Sequence, residues 1–223
     1  MARRLPPVGE LLGEAWRRFA RWNWQLLGVA VPVVAAEVVI QLLIVNKSEQ
    51  LGILSIAIGF VLTSVASGLI VAGMAPGATA FRAPLGQSLQ IAGRVLPAGV
   101  VAGVGLAIGF VLFIIPGLVL YTRWSVLVPV LIREDIGWGD SFARSWALTR
   151  GNGWTIFGAL LIVLITYLAL FVVAALLGGV TYVVVAVVVG AIQIAFSAVL
   201  SLVIYEGLVG TALEVTSGPG GPP

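Results

Sequence analysis

The chain contains no cysteine and no histidine. The first absence excludes disulfides, thiolate metal sites and a cysteine nucleophile. The second removes the commonest general base and most zinc and iron chemistry. Charge is also scarce: 9% of the residues are Asp, Glu, Lys or Arg, against about 25% in a soluble domain. The nine acids are scattered, and only Glu134 and Asp135 are adjacent. That spacing suits neither a metal cluster nor a nucleophile with its base. No catalytic residue, metal ligand or cofactor is assigned, and the chain is read as a non-enzyme. The net charge of +3 is too small and too dispersed to mark a nucleic-acid surface.

What is present is apolar length, with 60% of the 223 residues hydrophobic. The runs Trp24 to Val45, Leu51 to Ala75, Trp154 to Leu177 and Thr181 to Tyr205 are each long enough for the ~30 Å of a bilayer core. The stretch Val95 to Ile132 is too long for one span and slightly short for two. Pro116-Gly117 near its centre is the expected helix break, because proline lacks the amide donor and clashes with the preceding turn. The expected fold class is therefore an all-α polytopic membrane protein with six transmembrane helices. Residues 1–23 read as an amphipathic leader, 24–210 as one six-helix domain, and 211–223 as a disordered Gly/Pro-rich tail.

Basic residues orient the spans. Arg3, Arg4, Arg17, Arg18 and Arg21 precede the first run, which places that end in the cytoplasm. With six spans Arg82, Arg94, Arg133, Arg144 and Arg150 fall on the same side, and Lys47 alone falls outside. Both termini are then cytoplasmic in a bacterial inner membrane. An internal repeat supports six. Gly9-Glu10 laid over Gly139-Asp140 brings Trp16 onto Trp146, Trp24 onto Trp154 and Gly28 onto Gly158 without a gap. Gly86 to Gly99 is a weaker third copy. The pattern is three units, each a short amphipathic helix followed by a membrane hairpin, as repeats in transport folds are built.

Two stretches carry a resemblance. One is Leu5-Pro6-Pro7-Val8-Gly9-Glu10-Leu11-Leu12 leading into Ala15-Trp16-Arg17-Arg18-Phe19. The other runs from Ile115-Pro116-Gly117-Leu118 through Arg123-Trp124 and Val128-Pro129 to Ser141-Phe142-Ala143-Arg144-Ser145-Trp146. Together they resemble the membrane domain fused to some bacterial glycerophosphodiester phosphodiesterases, and its free-standing relatives. The similarity spans roughly residues 5 to 208 and departs at Tyr205-Glu206-Gly207-Leu208, where relatives carry a Tyr-x-Asp-Leu-Arg-like ending. It implies a membrane module only. The phosphodiesterase chemistry of those fusions belongs to a separate barrel, with histidine and carboxylate ligands that have no counterpart here.

Ionisable residues inside spans need a partner or a cavity. Glu37 and Arg123 are the expected intramembrane pair, and Pro116-Gly117 the expected backbone break. Arg133, Arg144 and Arg150 are the expected cytoplasmic contacts for anionic lipid headgroups. The partners expected are membrane lipids, with a protein partner or a second copy of the chain also open, and no nucleic acid. The leading functional expectation is a non-enzymatic membrane module in lipid or envelope homeostasis. The alternative is a small transporter or permease subunit with a mid-membrane polar cavity lined by Glu37, Arg123 and Gln41.

Overall fold

The structure, a computed structural model, describes residues 4–44, 49–74, 81 and 85–216, with side chains left out at 42, 44, 49–57, 85, 110 and 211–216. Lys47 and Arg82 lie outside the described residues. Every regular element among them is helical: α1 (Val8–Ile44), α2 (Glu49–Gly73), a 3-10 turn (Leu85–Gln87), α3 (Ser88–Leu112), α4 (Ile114–Arg123), α5 (Leu127–Arg133), α6 (Trp138–Leu148), α7 (Gly153–Leu177) and α8 (Gly179–Thr216). Five apolar stretches are long enough to cross a membrane: Val8–Gln41, Ser88–Gly109, Ile114–Arg133, Gly153–Leu177 and Gly179–Gly210. Ile58–Gly73 adds a shorter apolar helix. The fold is an all-α polytopic one.

The long first helix contains two elements. Its 37 residues would reach roughly 55 Å if straight, well beyond a bilayer core. Trp22 leaves helical geometry at φ −121° and ψ 16° and separates the leader from the span. The same event occurs 130 residues later at Asn152, with φ −114° and ψ 12°, between α6 and α7. Helix α6 starts at Trp138 and α1 at Val8, again 130 apart. Leu11 and Ser141, Ala15 and Ser145, Phe19 and Thr149, and Leu26 and Ile156 are buried pairwise at that same spacing. Trp24 and Trp154 are 82% and 86% exposed. The first and last units thus share start, inward face, kink and outward tryptophan. In the middle unit the leader and span are one continuous helix, α3.

The central stretch departs from expectation. The chain breaks at Phe113, which is extended at φ −161° and ψ 144°, not at Pro116-Gly117. Both of those residues lie in the first turn of α4. At the position of Pro116, the third residue of the helix, an amide has no intrahelical acceptor in any case, so proline costs nothing. Gly117 serves close packing: a Cβ built on Gly109 of α3 would stand 3.1 Å from its Cα. A second break, at Trp124–Val126, separates α4 from α5 and was not anticipated. Two carbonyls are captured there by hydroxyls from other helices, Arg123 by Ser145 Oγ (2.7 Å) and Ser125 by Ser201 Oγ (2.5 Å). Helix α8 also runs on to Thr216, past residue 211 where the tail was expected to begin. Residues 217–223 lie outside the described residues.

Packing follows from these lengths. Helix α1 lies against α8 and α2, α7 against α8, and α4 against α3 and α7. The main buried cluster joins Leu26, Ala30 and Val34 of α1 to Ile70 and Val71 of α2 and to Ala191, Ala195, Ala198 and Leu202 of α8. Small residues on α8 let the helices approach, and Gly190 sits so close to Val34 that a Cβ there would meet it at 3.0 Å.

These contacts generate a paired prediction. Gly109→Val places side-chain atoms against the Gly117 backbone and is expected to cost about 1–3 kcal/mol. Gly93→Ala, where a Cβ meets nothing within 4 Å, is expected to stabilise by about 0.5–1 kcal/mol through helix propensity. Thermal unfolding of both variants in detergent checks the opposite signs.

Candidate functional site

Charge is gathered at one end of the bundle. Glu14 binds Arg17 (2.7 Å) and Arg18 (2.8 Å), and Arg18 continues to Glu206 on α8 at 2.5 Å. Glu134 accepts from Arg144 (2.8 Å) and from the Tyr205 hydroxyl (3.2 Å). Arg94 pairs with Asp135. The helix starts of α1 and α7 meet here too, with the Leu5 amide donating to Asn152 Oδ1 at 2.7 Å. The far end is different in kind. Its turns carry exposed Val111, Phe113 and Ile115 on one hairpin and Leu176 and Val180 on the other.

The residues expected from the sequence are distributed as follows. Glu37 and Arg123 are not brought together. Glu37 accepts a hydrogen bond from Thr63 Oγ1 on α2 at 2.7 Å. Arg123 instead stacks on Trp146 of α6, with its guanidinium carbon 5.4 Å from the ring centroid. The physical reason is neighbourhood, since α1 packs on α8 and α2 while α4 packs on α3 and α7. A depth estimate along each helix axis carries no information about which helices touch. Of the three surface arginines, Arg133 is taken up by the carbonyls of Val71 (3.2 Å) and Met74, where it caps the end of α2. Arg144 is held by Glu134. Arg150 is exposed and belongs to no ion pair among the described residues.

Arg123 has another distinction. Its Nη1 is buried without a hydrogen-bond partner, and it forms no ion pair among the described residues. The side chain lines a groove of about 610 Å³ between α4 and the start of α7, with Leu118, Val119, Trp154 and Phe157 as its apolar walls. Gly153 and Trp154, the first residues of α7, also line it. The first intrahelical acceptance in α7 is by Asn152, from Ile156, and no side chain caps the turn. The groove therefore combines a guanidinium, an uncapped helix N-terminus and apolar walls. The sequence carried one signal for it, the polar run Thr122-Arg123-Trp124-Ser125 inside an apolar stretch.

A second cavity, of about 660 Å³, opens among α1, α2, α7 and α8 around Glu37, Gln41, Thr63, Tyr167, Tyr182 and Gln193. It holds Glu37 and Gln41 as the sequence suggested for a mid-membrane cavity, but Arg123 faces the other groove. Among the described residues no group of three or more acids could hold a metal ion.

Geometry thus defines a class: a polytopic helical bundle whose described residues gather charge at one end and expose apolar turns at the other, with one lateral cavity around Glu37 and another around Arg123. No family model, curated protein or solved structure matches this chain.

The two roles of arginine separate experimentally. Arg133→Ala removes a charged cap from two backbone carbonyls and is expected to lower stability by about 1.5–3 kcal/mol. Arg150→Ala is expected to stay within about 0.5 kcal/mol, as an exposed surface change does. Unfolding midpoints in a mild detergent read both.

Proposed function

We propose that this protein is a non-enzymatic membrane module that holds an anionic lipid in the groove between α4 and α7. The observation that carries this reading is Arg123: a cation in a membrane-spanning segment, without a carboxylate partner, at the head of an otherwise apolar slot. An unpaired charge at that depth is costly, and a lipid phosphate or carboxylate would offset it. The uncapped first turn of α7 adds backbone donors and the positive end of a helix dipole to the same place. Leu118, Val119 and Phe157 then offer the acyl chain a surface like its own solvent.

The charged end of the bundle is taken as cytoplasmic, since Arg18, Arg94, Arg133 and Arg144 all lie there. On that reading the groove draws from the inner leaflet, and exposed Arg150 beside it attracts anionic headgroups. The resemblance to the membrane domain of bacterial glycerophosphodiester phosphodiesterases agrees with a lipid setting in a bacterial inner membrane. It supplies no activity.

Native mass spectrometry of the protein extracted with its own lipids tests the reading. One anionic lipid per chain is expected to survive gentle desolvation. Arg123→Ala is expected to reduce its occupancy about tenfold or more, the effect of losing one charged hydrogen bond. Arg123→Lys is expected to retain part of it. Full retention by Arg123→Ala, or release of the bound lipid as a neutral species, would falsify the proposal.

A further inference from the structure

The second cavity does not belong to the lipid reading and rests on different residues. Glu37 is an acid within the membrane-spanning part of α1, and it takes one hydrogen bond, from Thr63, with no basic partner among the described residues. Among the described residues no lysine or arginine lines the cavity. Its walls combine aliphatic side chains such as Val34, Leu164 and Ile194 with aromatic and amide groups. Tyr167 and Phe171 lie 6.0 Å apart on α7, and Phe171 meets Tyr182 of α8 edge-on at 6.0 Å. Gln41 and Gln193 complete the polar wall, and the Gln193 amide nitrogen donates to Ser197 Oγ at 3.2 Å.

We infer that this cavity is a binding site for an organic cation of the alkylammonium class. Three physical features converge on that chemistry. A carboxylate without a counterion in a low-dielectric setting favours a positive ligand over a neutral or negative one. Contiguous aromatic rings attract a cation within about 6 Å of a ring centre, and quaternary ammonium groups are well suited to such walls. The volume, about 660 Å³, is in the range of small-molecule sites, ~300–1,000 Å³. A divalent metal ion is the weaker match, because the single carboxylate Glu37 balances only half of its charge. The ammonium can come from a soluble amine or from a lipid headgroup, since either presents the same cation.

Isothermal titration of the full chain in a neutral maltoside detergent decides this. Butyltrimethylammonium stands for the soluble source and dodecyltrimethylammonium for the lipid-like one, each compared with its neutral isostere in which carbon replaces nitrogen. Saturable binding of one cation per chain is expected, with the isostere at least about tenfold weaker for want of the charge contact. Glu37→Gln is expected to weaken the cation by a similar factor, and Tyr182→Leu by several-fold. Saturation by the short cation assigns a soluble amine; saturation by the tailed cation alone assigns a headgroup. Equal binding of cation and isostere to the unaltered protein overturns the inference even if Glu37→Gln does not fold. So does unchanged affinity in a folded Glu37→Gln, or no saturable binding by either cation.

Discussion

The hydrocarbon interior of a bilayer neither donates nor accepts hydrogen bonds, so each backbone amide and carbonyl within it must find its partner inside the protein. Uninterrupted helices meet that demand by themselves. At two places where a helix stops, another helix supplies partners for its free carbonyls. At Trp124–Val126 the carbonyls of Arg123 and Ser125 are met by serines of α6 and α8. At the end of α2 the carbonyls of Val71 and Met74 are met by Arg133 of α5. These polar bonds tie elements far apart in the chain, and they fix which helices are neighbours. The groove and the cavity are consequences of that arrangement.

The same constraint sorts the charges. Lys, Arg, Asp and Glu are expensive at depth, and most of those described here gather at one end, where several are partnered across helices. Arg18 to Glu206 joins the first helix to the last, and Glu134 to Arg144 and Tyr205 ties the loop before α6 to α8. Exposed pairs of this kind contribute little individually, typically under about 1 kcal/mol. Their role is to register the helix ends against one another. Two charges are exceptions, Glu37 and Arg123, and each lines a cavity. That placement gives the two cavities opposite character, one offering a carboxylate and the other a guanidinium, each among aliphatic and aromatic side chains.

Much of the fold was legible in the residue pattern because hydrophobic run length is a local property. Spans beginning near Trp24 and Trp154 are found close to where they were expected, and the 130-residue spacing reappears in the kinks at Trp22 and Asn152. The sites were less legible. Glu37 and Arg123 stand out in the sequence as charges within apolar runs, yet their pairing was a guess about neighbours, and α1 and α4 have other neighbours. Arg133 and Arg144 looked like surface cations because sequence cannot show that a carbonyl pair or a carboxylate already holds them. Pro116 misled for a related reason: proline breaks a helix interior but is harmless in a first turn, and only the chain geometry at Phe113 says which turn it occupies.

The sequence by itself determined the all-α polytopic class, the exclusion of cysteine and histidine chemistry, and the two charges inside apolar segments; it led to six spans, where the structure describes five helices of spanning length and one shorter apolar helix. Each depends on composition or on spacing along one helix. Only the tertiary structure decided which helices touch, where broken backbone finds its hydrogen bonds, and that a buried Arg123 nitrogen has no hydrogen-bond partner among the described residues. Those outcomes depend on contacts between residues about 20 to 190 positions apart, and no local pattern encodes which of several equally apolar faces will meet.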